Sequence, residues 1–334
     1  MSQKKPALYD KDLPAGLLAG KTIGVLGYGS QGRAQAQNLR DSGLSVEVGL
    51  PAGRRSREQA EADGFVVRSA RELAERHPIL IFLTPDETHR ELFEAQIAPA
   101  LKPGAALCFA HGFSVQYGQV VAPPGIDVFM VAPMGAGPLL RREFQAGRGT
   151  PALIAIAADA SGTARALALG IAQALGSGRI GILETTFKEE TETDLFAEQA
   201  ILCGGVSSLI RNGFETLTEA GYSEEIAYFC CLHELKFIVD LIQERGLAGM
   251  RGRISSTAKY GDLTRGPRVV DGHAKANMRE ILGEIQSGAF ASEWLSETRA
   301  GRPNLMQLVR TAEHHPIETV GARLRAMMAE GGAK

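Results

Sequence analysis

Short apolar runs alternate with polar, alanine-rich stretches through the first half of the chain. TIGVLGY (22–28), SVEVGL (45–50), ILIFLT (79–84), ALCFA (106–110), DVFMVAP (127–133) and ALIAIA (152–157) have the length of buried strands. Stretches such as SQGRAQAQNLRDSG and SREQAEADG lie between several of them, and Gly and Pro mark the turns. This alternation predicts an α/β fold with a Rossmann-like, doubly wound, mostly parallel sheet. Beyond Glu184 the apolar positions recur at helical spacing and strand-like runs stop. AYFCCLHELKFIVDLIQERG (227–246) reads as one buried helix stopped by Gly246. The pattern predicts two domains, 1–185 and 186–330, the second all-helical. Its helices are too apolar to stay exposed, so a homo-oligomer through this half is expected.

Composition narrows the class. The chain has 334 residues, 44% of them hydrophobic, and a formal net charge of −2. That balance gives no general attraction to nucleic acid. No apolar run approaches the roughly 18 residues of a membrane span, and the first residues, MSQKKPALYDKDLPAG, contain no apolar signal core. Cys108, Cys203, Cys230 and Cys231 include an adjacent pair. That spacing disfavours a simple disulfide framework and points to the reducing cytoplasm.

GYGSQG follows the first strand and opens a helix. This is the dinucleotide fingerprint in its required context. Gly27 permits the tight turn, Gly29 lets a pyrophosphate approach the backbone, and Gly32 lets the helix pack on the sheet. Tyr28, Ser30 and Gln31 complete the loop, with Pro85 and Gly137 at the ends of later strands as further expected contacts. An acid about 20 residues on would hold a ribose 2′-hydroxyl. Glu47 lies inside the strand and is poorly placed. Arg54, Arg55, Ser56 and Arg57 instead form a cationic cluster suited to a 2′-phosphate, which favours NADPH.

Asp194 and Glu198 stand four residues apart in ETETDLFAEQ. On one helix face they repel unless a cation such as Mg²⁺ lies between them. The plainer alternative is a solvated acidic helix start, since Glu189, Glu190 and Glu192 precede them. His111 ends a strand, where open α/β sheets bind ligands, and can polarise a carbonyl or move a proton. Glu234 sits inside an apolar helix, where a buried carboxylate without a partner is costly, so it needs a cation or donor. His233 reads as structural.

Together GYGSQG, FAHGF, VFMVAP, ETTFKEETETDLFAEQAILCGG, FETLTEAGY, LHELKFIVDLI, TAKYGD, GPR and HPIETVGARLRAMM resemble the short bacterial form of ketol-acid reductoisomerase over nearly the whole chain. The resemblance implies a knotted helical C-terminal domain and a homodimer with shared active sites. It implies alkyl migration in a 2-hydroxy-2-acyl acid such as acetolactate, aided by two Mg²⁺, then hydride transfer from NADPH. It assigns Asp194 and Glu198 as metal ligands, Glu234 as a second-site carboxylate from the partner, His111 as the histidine near the nicotinamide, and Ser255 as a substrate-carboxylate contact.

The resemblance breaks at APMGAGP (132–138). Met134 stands where the family has a lysine, Ala136 a proline and Pro138 a histidine. Cys230 replaces a metal-binding glutamate, Ser256 an aspartate or asparagine, and Lys259 a glutamate. Loss of a hard oxygen ligand weakens a second Mg²⁺ site, while Asp194 and Glu198 can keep one ion. Loss of the lysine deletes a proton donor. If its segment is helical, Lys259 lies one turn beyond Ser255 and can meet an anionic group. The adjacent cysteines also admit a soft metal such as Zn²⁺, although a small buried hydrophobe is the plainer account. The substitutions favour an NADPH-dependent reductase of a small C=O or C=N substrate, in specialised metabolism, without alkyl migration. The alternatives are a genuine ketol-acid reductoisomerase and a non-catalytic NADPH- or metabolite-binding protein.

Overall fold

The structure, a computed structural model, describes residues 6–331. The chain divides into two compact units, Met1–Thr193 and Asp194–Lys334. In the first, β1 (Thr22–Leu26), β2 (Ser45–Gly49), β3 (Val66–Arg68), β4 (Ile79–Phe82), β5 (Ala106–Phe109), β6 (Asp127–Pro133), β7 (Ala152–Ala158) and β8 (Ile182–Glu184) form one eight-stranded sheet. Its order is β3-β2-β1-β4-β5-β6-β7-β8, parallel through β6. β7 runs antiparallel to β6, and β8 parallel to β7. The six anticipated strands are all present. β3 and β8 are additions, each three residues long, too short to show a pattern. The reversal at β7 has no local signature, because a strand covered on both faces is apolar in either direction.

Helices α1 (Ser30–Asp41), α2 (Arg55–Ala62), α3 (Ala70–Arg76), α4 (His89–Leu92), α5 (Phe113–Gln116), α6 (Gly137–Gln145) and α7 (Ala164–Ala174) connect the strands. Strand residues alternate between two apolar layers. Ile79 and Ile81 join Ile23, Leu39 and Phe129 in one layer, whereas Leu80 and Phe82 join Leu26, Leu73 and Phe109 in the other. β1 pairs with β2 on one side and β4 on the other, so the chain's direction across the sheet reverses beside it. A crevice outside the carboxyl ends of the strands belongs at such a reversal.

The helix α8 (Phe187–Ala197) leaves the sheet, and a wider π-helical turn, Glu198–Leu202, follows it. The second unit continues with α9 (Gly204–Glu219), α10 (Glu224–Tyr228), α11 (Leu235–Arg251), α12 (Ser256–Val269), α13 (Gly272–Ser287), α14 (Ala289–Arg299), α15 (Pro303–Glu313) and α16 (Pro316–Gly331). Its core is small: Phe214, Ala227, Tyr228, Ile317, Val320 and Leu324. The expected single helix over 227–246 is corrected. A π-helical turn, Phe229–His233, separates α10 from α11. Gly246, at φ 68° and ψ 172°, interrupts α11 rather than ending it, and helical bonding resumes to Arg251. Nor is the segment buried in the single chain, where Phe237 is 55% exposed. No helix among the described residues is long and apolar enough to cross a membrane.

Candidate active site

The loops at the carboxyl ends of β1, β4, β5 and β6, four adjacent strands, carry the candidate chemistry of the first unit. The fingerprint turn is built from close backbone approaches. Gly27 sits at φ 101°, and a Cβ there would lie 2.6 Å from the Leu83 carbonyl oxygen. A Cβ on Gly32 would lie 2.4 Å from the Gly27 carbonyl oxygen, so α1 packs directly on the turn. Gly29 caps α1 without a side-chain hydrogen bond and faces open space. Uncapped N–H groups at a helix start attract an anion. The side chain of Tyr28, expected in the cofactor loop, is turned into the protein. Its ring is buried and its hydroxyl donates to Asp63 Oδ2 at 2.8 Å. Burial, then that carboxylate, pushes the phenol pKa upward.

The β6 loop is fastened to this turn. Gln31 Nε2 donates to the Gly135 carbonyl at 2.8 Å, while Gln31 Oε1 accepts from buried Gln35. A Cβ on Gly137 would lie 2.1 Å from the Ser30 carbonyl oxygen. Met134 is held through its backbone, its N–H donating to Pro151 O at 2.8 Å. The residue as a whole is 49% exposed. Pro85 lies exposed beyond β4.

The basic cluster separates into two parts. Arg54 and Arg55, at the start of α2, are exposed, with Ser56 half-buried beside them. Arg57 is corrected: its guanidinium donates to Leu50 O and Val67 O, each at 3.3 Å, and pairs with Glu61. It braces the sheet edge instead of facing a ligand. Glu47 is likewise engaged, with Arg68, Arg76 and His77.

His111 lies beyond β5, and its Nδ1 is 3.0 Å from Glu190 Oε1 on α8. The other carboxylate oxygen accepts the Gly112 N–H at 2.8 Å. Glu190 is 4% exposed, so the acidic helix start is not simply solvated. Sequence reasoning missed this residue; its signal was the four-residue spacing to Asp194, which puts both on one helix face. Gly112 permits the approach, since a Cβ there would meet Thr191 Oγ1 at 2.1 Å. Ligand atoms of His111, Glu190 and Asp194 lie within 4.8 Å of one another, a donor set able to meet a cation. Both Glu190 oxygens already accept hydrogen bonds, so Asp194 is the carboxylate of this set suited to a hard ion. Glu198, one turn further, is exposed.

The remaining candidates belong to the second unit. Cys230 and Glu234 are exposed in the single chain, which corrects the expected burial of Glu234. Ser255 caps α12, its Oγ accepting the Ala258 N–H at 3.1 Å. Ser256 begins that helix and Lys259 lies one turn in, its N–H bonded to Ser255 O.

A glycine-rich turn opening a helix at the reversal of a parallel sheet, with a carboxylate-held histidine two strands away, defines the class of Rossmann-type dinucleotide-dependent oxidoreductases. The family descriptions "Acetohydroxy acid isomeroreductase, NADPH-binding domain" and "Ketol-acid reductoisomerase, C-terminal domain" match residues 17–181 and 187–330. The chain belongs to the ketol-acid reductoisomerase family. It is 53% identical to the ketol-acid reductoisomerase (NADP(+)) of Saccharopolyspora erythraea over 320 residues, covering 96% of each chain. It resembles the solved NADH-preferring ketol-acid reductoisomerase from an uncultured archean with a TM-score of 0.94 and 43% identity, covering 96% of this chain and 99% of that one. A semialdehyde dehydrogenase NAD-binding protein from Cupriavidus necator shares only the fold, at 17% identity and a TM-score of 0.61, covering 80% of this chain and 99% of its own.

Proposed function

We propose that this protein is a cytoplasmic, NADPH-dependent ketol-acid reductoisomerase acting on a 2-hydroxy-2-acyl acid such as acetolactate. The observation that carries the reading is the His111–Glu190–Gly112 arrangement at the same edge of the sheet as the fingerprint turn, two strands away. The high identity to a named reductoisomerase over nearly the full length supports the complete reaction over reduction alone.

NADPH, when bound, supplies the hydride. Its pyrophosphate fits the uncapped start of α1 at Gly29, and its 2′-phosphate fits exposed Arg54 and Arg55. Mg²⁺, when bound, stabilises negative charge on neighbouring substrate oxygens. Asp194 and Glu198 would hold it, with Glu234 contributed by a partner subunit and Ser255 meeting the substrate carboxylate.

Glu190 acts on the ring of His111. A carboxylate only accepts, so it fixes the proton on Nδ1 and leaves Nε2 as the basic nitrogen. His111 Nε2 then holds or delivers the proton that accompanies reduction of the carbonyl. The second oxygen of Glu190 accepts the Gly112 N–H, which holds the carboxylate in place against the ring. The family matches, which end at residue 181 and begin again at 187, support a domain boundary near residue 185, a few residues before the division of the chain into compact units at Thr193 and Asp194. The exposed apolar residues of the second unit, including Leu202, Ile226, Phe237, Tyr260, Leu263 and Leu308, suit a homodimer interface.

One observation favours a second reading, reduction without alkyl migration. Met134 presents no ionisable group at the β6 loop, and Cys230 offers sulfur rather than oxygen. The two separate cleanly. Purified protein is given NADPH, Mg²⁺ and either acetolactate or its already rearranged 2-oxo-3-hydroxy isomer. Oxidation of NADPH with both substrates, at the 1–10³ s⁻¹ typical of enzymes, supports the reductoisomerase. Turnover of the isomer alone supports the second reading, and turnover of neither overturns both.

A further inference from the structure

His89 is enclosed, titratable and unused by the chemistry above. It begins α4 and is 2% exposed. Its ring lies against Phe82 and Phe109, at centroid distances of 5.3 and 6.0 Å. A buried imidazole needs partners at both nitrogens. Nε2 is 2.9 Å from the Thr84 carbonyl oxygen, and Nδ1 is 2.7 Å from Ser114 Oγ. A carbonyl only accepts, so the proton is on Nε2, and Nδ1 accepts from the Ser114 hydroxyl. Desolvation pushes the ring's pKa down to about 4, which keeps it neutral. Asp86 Oδ1, at 3.7 Å from Nδ1, does not offset that burial.

The two groups it joins belong to different loops of the site. Thr84 follows β4 and supports the fingerprint turn: a Cβ on Gly27 would lie 2.8 Å from the Thr84 nitrogen. Ser114 is fully buried on α5, two residues beyond the Gly112 whose N–H holds Glu190. The Gly112 carbonyl accepts from the Val115 and Gln116 N–H groups, which makes this segment one rigid turn. A continuous series of contacts therefore runs from the Gly27 turn through Thr84, His89 and Ser114 to Gly112 and the His111 loop.

We propose that His89 is a positioning residue, which as the neutral Nε2–H tautomer ties the cofactor turn to the His111 loop and sets the reach between nicotinamide and His111. The proposal rests on the hydride-transfer reading above. Shape alone does not explain it, because an apolar side chain would fill the Phe82–Phe109 wedge without joining Thr84 to Ser114. Small displacements of a reacting pair cost rate steeply, on the order of 100-fold for about 1 Å.

The test compares His89→Leu, His89→Gln and Ser114→Ala with the unaltered protein. Hydride transfer is read in single turnover with 4-deuterated and unlabelled NADPH, alongside the cofactor Kd. His89→Leu is expected to slow hydride transfer about 10- to 100-fold while shifting the Kd less than about threefold. An amide can donate to Thr84 O and accept from Ser114, so His89→Gln should recover most of that rate. Ser114→Ala should slow the wild type but add little to His89→Leu. Equal rates for His89→Leu and wild type, or equal losses for the leucine and glutamine variants, overturn the proposal. If the unaltered protein shows no turnover, the functional reading fails on its own. The staple is then judged by amide hydrogen exchange at Thr84 and at 112–116. Faster exchange in His89→Leu but not His89→Gln supports it, and equal exchange in both overturns it.

Discussion

The imidazole of His111 and the carboxylate of Glu190 face each other at 3.0 Å across two elements separated by 79 positions in the chain. One is delivered by the end of a strand and the other by a helix that leaves the sheet. The carboxylate is buried, so its interaction with the ring and with the Gly112 N–H is little screened by water.

Glu190→Gln keeps the shape but removes the charge that stabilises an imidazolium. The expected effect is a fall in kcat of roughly 10²-fold or more, with cofactor Kd nearly unchanged. Glu190→Ala also strands the buried Gly112 N–H and should cost about 1–3 kcal/mol of stability. Rates and urea midpoints measure these separately. A Glu190→Gln protein with wild-type kcat would show that this carboxylate does not govern His111.

Arg54 and Arg55 are exposed, whereas Arg57 is bonded to sheet carbonyls. Replacing Arg54 and Arg55 together with alanine should weaken NADPH about 10- to 100-fold and leave NADH unchanged, since charge-assisted bonds contribute about 1.5–3 kcal/mol each. Arg57→Ala should instead lower stability and affect both cofactors alike. Fluorescence titration with each nucleotide distinguishes them. Equal loss of both nucleotides in the double variant would remove the 2′-phosphate from this loop.

Gly137→Ala places a Cβ 2.1 Å from the Ser30 carbonyl oxygen, a backbone atom that cannot swing away. Overpacking of this kind costs about 1–3 kcal/mol. The β6 loop should then part from α1, lowering dinucleotide affinity together with the urea midpoint. An unchanged midpoint would mean that the two helix starts tolerate separation.

His89 gives stability a definite pH dependence. Burial lowers its folded pKa from the ordinary 6.5 to about 4. Between those values the unfolded chain binds a proton that the folded chain refuses. The contribution is therefore complete above about pH 6.5 and is lost as pH falls through that window, with a limiting slope of about 1.4 kcal/mol per pH unit. Asp86 and His111 also titrate nearby, so the measurement is the difference between wild type and His89→Gln in urea unfolding from pH 7 to 4.5. Parallel curves would show that His89 is not the group responsible.

Much of the first unit was legible because local pattern and tertiary role coincide there. Each of the six apolar runs became a strand, and Gly27 and Gly32 occupy positions where a Cβ would strike backbone. What escaped notice depends on distant partners. Glu190 reads as one acid among several until the β5 loop arrives beside it, and Arg57 reads as a free cation until Leu50, just beyond β2, and Val67 of β3 present carbonyls. The helical segment after Ala227 was misread for another reason. Periodicity reports an apolar face but not what covers it, nor a π-helical turn that shifts the face partway.

The outer margin of the sheet carries one more consequence. Leu8 and Ile182 exchange backbone hydrogen bonds of 2.9 and 2.8 Å, so an N-terminal arm lies along β8. Ile180 and Leu183 remain exposed beside it, an adhesive border on a short terminal strand. Unprotected borders of this kind recruit other chains into edge-to-edge stacking. The arm thus works as a selvedge, and trimming it should leave the fold able to form yet prone to precipitate as concentration rises.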